Sequence, residues 1–172
     1  AVALAMNEGA VSTFNLATTS TEPEGQTMTY AHTIPTNGTI SGFDAATGDI
    51  TYTHDGSETT SDTFTYTAID ADTLSSASGT VTVTLTPVND KPVINSETAL
   101  NVDQFDELTF NIPAVDAEGD TMTYTIVTNP TKGELVDNGN GNFTYYNNGD
   151  SSEDDTFTVK ANDGTEDSVN TD

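Results

Sequence analysis

The chain repeats itself at a nearly constant spacing, and this limits its fold more than any other feature. Glu24-Gly25-Gln26-Thr27-Met28-Thr29-Tyr30 recurs as Glu118-Gly119-Asp120-Thr121-Met122-Thr123-Tyr124. Pro35-Thr36-Asn37-Gly38 recurs as Pro130-Thr131-Lys132-Gly133, and Tyr52 finds Tyr145. Asp62-Thr63-Phe64-Thr65 returns as Asp155-Thr156-Phe157-Thr158, and Ala68-Ile69-Asp70 as Ala161-Asn162-Asp163. Five blocks in one order, at offsets of 94, 95, 93, 93 and 93 residues, mean two copies of one domain. Between the copies lies Thr86-Pro87-Val88-Asn89-Asp90-Lys91-Pro92-Val93. Its two prolines remove backbone donors and restrict φ, which predicts a short, extended, stiff connection. The sequence therefore divides into residues 1–88, a linker 89–93 and residues 94–172.

Within each copy the dominant period is two. Thr80–Thr86 alternates strictly, with Val81, Val83 and Leu85 on one face, and Thr63–Thr67 and Met122–Ile126 behave alike. Threonine on the other face suits a solvated antiparallel sheet. Turn signals separate the runs at Asn37-Gly38, Ala46–Asp49, Asp55-Gly56, Asn138–Gly141 and Asp163-Gly164. No helix-period segment stands out. The reading is all-β: two tandem immunoglobulin- or cadherin-like antiparallel β-sandwiches of about seven strands each. At an offset of 93, the partner of Thr80–Thr86 would begin at position 173, so the second copy is expected to lack its last strand within this fragment of a longer chain. An open edge of that kind invites pairing with another chain.

Charge narrows the function. Lys and Arg total 3 against 28 Asp and Glu, a formal charge of −25. Self-repulsion on this scale calls for high salt or bound cations. Nucleic acid and anionic membranes are excluded as partners, because both select a basic surface. No cysteine is present to staple the domains. The apolar start Ala1–Met6 is too short to span a membrane and lacks the basic flank of a signal peptide, and it reads as a strand with Val2, Leu4 and Met6 on one face.

Acids and asparagines cluster at particular places in the repeat. Asp116-Ala117-Glu118-Gly119-Asp120 precedes a strand, Ala161-Asn162-Asp163-Gly164 ends another, and Asn89-Asp90 marks the linker. These segments resemble the Asp-x-Asp, Ala-x-Asp-x-Gly and Asn-Asp-Asn-x-Pro segments of cadherin repeats. Ser61-Asp62-Thr63-Phe64-Thr65-Tyr66 and Pro87-Val88-Asn89-Asp90-Lys91-Pro92 are closer still to the bacterial cadherin-like tandem repeats, about 95 residues each, of large RTX-type surface adhesins. That resemblance implies calcium, which takes six to eight hard oxygen ligands at about 2.3–2.6 Å. It implies a junction site built from Glu8, Asp62, Asn89 and Asp90, with Asp116, Glu118, Asp120 and Asp163 from the second copy. The equivalent positions Glu22, Glu24, Asp70 and Asp72 of the first copy would form a half-site. The middle Leu-Asp-Arg-Glu motif of animal cadherins is absent, Lys91 stands at a ligand position and Glu118 replaces an Asp, so about one or two ions are expected rather than three.

The two histidines, His32 and His54, have no nucleophile arrangement around them and read as exposed strand residues. Asp137–Asn142 lacks an EF-hand's closing Glu and reads as a hairpin. Lys160 near Asp155 leaves an internal isopeptide crosslink conceivable. The expected function is non-enzymatic: calcium-stiffened extender repeats of a bacterial surface or secreted adhesin, outside the cell, with neighbouring repeats of the parent chain as partners. The alternative is a module binding carbohydrate or another surface protein. Tyr145-Tyr146 is the one adjacent aromatic pair, and one of the two must face outward in a regular strand.

Overall fold

The structure is a computed structural model that describes residues 1–95, 99–149 and 153–168. The chain forms two compact units, residues 1–88 and 89–172.

The first unit holds β1 (Val2–Asn7), β2 (Val11–Asn15), β3 (Thr29–His32), β4 (Gly38–Ser41), β5 (Asp49–His54), β6 (Ser61–Ile69) and β7 (Gly79–Thr86), with a 3-10 turn at Leu16–Thr19. One sheet has the order β1-β7-β6-β3 and the other β2-β5-β4. Every pairing is antiparallel except β1 with β7, which is parallel with Val2 opposite Val81. The period of two is what sends one face inward: Ile50, Tyr52, Phe64, Tyr66, Val81, Val83 and Leu85 are all buried. The Tyr52 and Phe64 rings stack at 6.2 Å between the two sheets.

The second unit holds β8 (Val93–Ile94), β9 (Glu107–Asn111), β10 (Ala114–Val115), β11 (Thr123–Thr128), β12 (Gly133–Gly139), β13 (Asn142–Asn147) and β14 (Thr158–Asn162). Its strands pair antiparallel as β12-β13-β9, β11-β14 and β10-β8. Phe143 and Tyr145 reproduce the inward set of the first unit, and Phe110 lies 6.1 Å from Phe143 and 5.8 Å from Phe157. Asp137–Asn142 is the β12–β13 hairpin, its bend carried by Gly139, Asn140 and Gly141 at positive φ. Tyr145 is buried while Tyr146 is 42% exposed, as strand alternation demands.

Two glycines show that the copies share packing as well as outline. A Cβ on Gly38 would stand 2.6 Å from the Thr53 carbonyl oxygen and 2.7 Å from the Tyr52 ring. On Gly133 it would stand 2.5 Å from the Tyr146 carbonyl oxygen and 2.5 Å from the Tyr145 ring. The tyrosine lies flat over bare backbone in both units. Gly38→Ala and Gly133→Ala are expected to cost their own units about 1–3 kcal/mol through overpacking, read by urea denaturation. Unchanged midpoints would mean that the rings do not sit there.

Candidate functional site

In the second unit three segments carry the acids. Asn89-Asp90 precedes β8, Asp116–Asp120 turns between β10 and β11 through Gly119 at φ +80°, and Asp163 follows β14. Asp116 and Glu118 are each held by one carboxylate oxygen. Asp116 Oδ1 accepts the Asp120 amide at 2.9 Å, and Glu118 Oε1 accepts the Asp90 amide at 2.8 Å. The opposite oxygens, Asp116 Oδ2 and Glu118 Oε2, are buried with no hydrogen-bond donor. Asp163 Oδ1 accepts the amides of Thr165 and Glu166 at 2.6 Å each, and its Oδ2 accepts Asn89 Nδ2 at 2.9 Å. The Glu166 amide, with the Asn89 side chain next, holds the Asp163 carboxyl below the usual carboxylate range. One oxygen of Asp90 and one of Glu118 lie within 4.8 Å of each other. Asn89, Asp90, Asp116 and Glu166 line one open groove of this unit. Asp120 is exposed at the end of its turn.

In the first unit Glu8 follows β1, and its amide donates to the Thr86 carbonyl at 3.1 Å. Its side chain is only 9% exposed, and Oε2 is buried with no donor. A carboxylate oxygen of Glu58 lies within 4.8 Å of one of Glu8. His54 arranges the two loops. Contrary to its sequence reading it is buried, because Ile50, Tyr52 and His54 share the inward face of β5. Its Nδ1 accepts the amides of Gly9 (3.1 Å) and Gly56 (3.2 Å), which places the ring proton on Nε2 for donation to Thr59 Oγ1 at 3.0 Å. The turn beside Glu8 and the loop bearing Glu58 are thereby tied to one ring.

Asp62, read in the sequence as a ligand, has both oxygens engaged in hydrogen bonds. Its Oδ1 accepts the amides of Thr36 (3.2 Å) and Thr63 (2.7 Å), and its Oδ2 accepts the Asn37 amide and the Tyr52 hydroxyl, both at 3.0 Å. With both oxygens engaged by four donors, it pins the turn before β4 to β6. Asp155 repeats this in the second unit, with the amides of Thr131, Lys132 and Thr156 and the Tyr145 hydroxyl. Burial and the facing aspartate raise both tyrosine pKa values. Lys160, read as a neighbour of Asp155, instead pairs with Asp167 at 2.6 Å.

The half-site residues of the first unit are arranged like their counterparts. Glu22 Oε2 accepts the Gln26 amide at 2.6 Å, in the register of Asp116 and Asp120. Asp70 Oδ1 accepts the Leu74 amide at 2.8 Å, and Asp72 Oδ2 accepts Gln26 Nε2 at 3.1 Å. Glu24 is exposed.

Sequence reasoning passed over Glu58 and Glu166. Glu58 stands two residues after the turn at Asp55-Gly56, and Glu166 two after Asp163-Gly164. In both cases an acid just beyond a turn was the available signal. The donor set throughout is carboxylate, amide and carbonyl oxygen, which suits a hard cation. A buried carboxylate oxygen without a donor is costly to desolvate, and Glu8, Asp116 and Glu118 each present one.

The family model described as a bacterial Ig domain matches residues 1–84 and again residues 89–171. No curated protein matches the chain. Among solved structures, Drosophila N-cadherin EC1-4 is similar at 16% identity and a TM-score of 0.51, over 95% of this chain and 44% of that one. Chicken VE-cadherin EC1-2 gives 18% identity and 0.43, over 94% and 89%. An endo-fucoidan hydrolase from glycoside hydrolase family 107 gives 19% and 0.44, over 98% of this chain and 26% of that one. The chain thus spans about a quarter of that hydrolase and under half of the N-cadherin fragment. At 16% identity the likeness to the N-cadherin fragment is one of fold.

The pinned aspartates set a pH dependence. Burial works to raise the Asp155 pKa, but the amides of Thr131 and Lys132, the Tyr145 hydroxyl and the Thr156 amide outweigh it and leave the value lowered. A depressed folded-state pKa contributes stability that is present above the unfolded value of about 3.9 and lost as pH falls through the folded one. The second unit is expected to weaken below about pH 4, and Asp155→Asn to flatten that slope when melting is followed by unit-resolved amide NMR. Asp62→Asn, which cannot accept on both sides, is expected to cost the first unit about 1–3 kcal/mol. An Asp155→Asn variant with the wild-type acid profile would refute the pinning.

Proposed function

We propose that this chain, which belongs to the bacterial Ig domain family and carries one copy of its domain in each unit, works as a pair of calcium-stiffened extender repeats of a bacterial surface or secreted adhesin. The observation that carries this reading is the set of buried carboxylate oxygens left without donors on Glu8, Asp116 and Glu118. Each of the latter two is aimed by a hydrogen bond that a backbone amide donates to its other oxygen. Glu8 from the first unit and Asn89, Asp90, Asp116, Glu118, Asp120 and Asp163 from the second are the proposed ligands, with Asn89 acting through its carbonyl oxygen. Glu58 and Glu166 join them by position, and Asp62 supports the fold instead.

Charge supplies the driving force. Each calcium ion cancels two of the negative charges that three lysines leave unbalanced in a chain of −25. Such a chain is loose where calcium is scarce, inside the cell, and rigid where it is millimolar, outside. Binding to the folded state adds directly to stability. The role is mechanical: tandem repeats hold a distant binding domain away from the surface, and calcium removes hinge freedom at the linker. The reading includes no catalytic step.

Calcium titrated into chelator-treated protein is expected to give saturable heat and a raised melting temperature, worth about 2.7 kcal/mol per site at one hundred times Kd. Glu118→Gln is expected to weaken binding about tenfold. No heat and no melting shift at millimolar calcium would end the proposal, and small-angle scattering profiles identical with and without calcium would end its mechanical part.

One observation favours a second reading, a carbohydrate-binding surface. Phe105 is 79% exposed and is held at φ +66°, a conformation unfavourable for a bulky residue and enriched at binding sites. Binding on a glycan array that Phe105→Ala removes would support this reading, and an array without hits would leave the extender role alone.

A further inference from the structure

We propose that Asn140, at the tip of the β12–β13 hairpin, is a site of self-modification, where the side-chain amide condenses with the Gly141 backbone amide, releases ammonia and ends as aspartate and isoaspartate.

Asparagine followed by glycine is where this chemistry is least hindered, because glycine has no Cβ to block the approach to its own nitrogen. The chain holds four such pairs: Asn37-Gly38, Asn138-Gly139, Asn140-Gly141 and Asn148-Gly149. In the reaction the glycine nitrogen gives its proton to solvent and bonds to the asparagine Cγ. The side-chain Cγ–N bond breaks, and the amine takes a proton from solvent and leaves as ammonia. Water then opens the five-membered imide. Opening at one carbonyl gives aspartate. Opening at the other gives isoaspartate, in which the main chain runs through the former side chain. Nothing is oxidised or reduced, and water is the one co-reactant.

The fold ties three of the four pairs. Asn37 Nδ2 donates to the Ser61 carbonyl at 3.3 Å. The carbonyl of the Asn37-Gly38 peptide accepts the Asp55 amide at 3.1 Å and the Tyr52 hydroxyl at 3.3 Å, which locks that peptide in place. Asn138 Nδ2 donates to Thr144 Oγ1 at 2.8 Å, and the Gly139 amide, the nitrogen that would attack, donates to Asp137 Oδ1 at 2.7 Å. The Gly149 amide donates to Asn147 Oδ1 at 2.9 Å. Asn140 differs. Among the described residues neither its side chain nor the Gly141 amide makes a hydrogen bond. It is exposed, and it stands at φ +53°. Gly141 is fixed: its carbonyl accepts the Ile112 amide at 2.8 Å, and a Cβ on it would stand 2.7 Å from the Ile112 carbonyl oxygen. The exposed Asn140 side chain is therefore the partner that swings to the nitrogen, at a hairpin tip where local opening is cheap. The product adds a negative charge to a chain already at −25. Isoaspartate also lengthens a two-residue turn that closes with both residues at positive φ.

This inference does not rest on the calcium reading, since Asn140 is none of the proposed ligands. The test ages the full 172-residue chain in mildly alkaline buffer with chelator, once folded and once in urea. Peptide mapping by mass spectrometry then follows each Asn-Gly pair, with the isoaspartate product separated by chromatography. In the folded chain Asn140 is expected to convert about fivefold or more faster than Asn37, Asn138 or Asn148, each of which must first break a hydrogen bond at its side chain or at the following amide. In urea the four rates are expected to converge. Asn140→Gly, which keeps the positive φ, is expected to remove the early ammonia release. An Asn140 that reacts no faster than the other three in the folded chain would overturn the proposal. So would a lead that persists undiminished in urea, because local sequence rather than the fold would then set it.

Discussion

Twenty-eight acidic side chains face three lysines in this chain, so its carboxylates cannot be neutralised by its own cations. Lys132 reaches Glu153 and Lys160 reaches Asp167, and both pairs are exposed enough to be worth little. The fold deals with the rest by geometry. Backbone amides take one group of acids: Asp62 in β6 and Asp155 ahead of β14, Asp44 and Asp55 in turns, Asp163 after β14. A smaller group, Glu8, Asp116 and Glu118, keeps one buried oxygen with no donor. The first group holds each unit's turns in place. The second group presents carboxylate oxygens that the protein itself leaves unsatisfied.

The Tyr–Asp pairs connect these two roles. Tyr52 and Tyr145 lie flat on a glycine at one edge of their sheets and donate to Asp62 and Asp155 at the other side of the core. The aspartate in turn receives two amides of the turn preceding β4 or β12. One aromatic ring, one carboxylate and one glycine therefore fix the entry to a strand in each copy, without disulfide or cation. Packing of this kind fixes the loop ends, and it is the loop ends that carry the acids.

Much of this was legible in the sequence, and the losses have physical reasons. Alternation located β7 almost to the residue and put Val81, Val83 and Leu85 in the core. The repeat offsets located the equivalent strands, and the Asp116–Asp120 and Asn89-Asp90 clusters do carry carboxylates with free oxygens or close neighbours. The hydrogen bonding of Asp62 was not readable, because residue type alone cannot say which way a strand acid points, and two of its three amide donors lie 25 and 26 residues earlier in the chain. The repeat held the missing clue: tyrosine stands ten residues before the aspartate in both copies. His54 was readable too, since it continues the inward set of Ile50 and Tyr52. The parallel pairing of β1 with β7 was not, because partner direction is set by chain path rather than by pattern.

The central claim is that a cation completes the oxygens that the protein leaves bare. Anomalous diffraction near the calcium edge, from crystals grown with calcium, addresses it directly. An anomalous peak is expected at about 2.3–2.6 Å from Glu118 Oε2 and Asp116 Oδ2. Those oxygens bonded only to water or to protein donors, with no peak within reach, would contradict it.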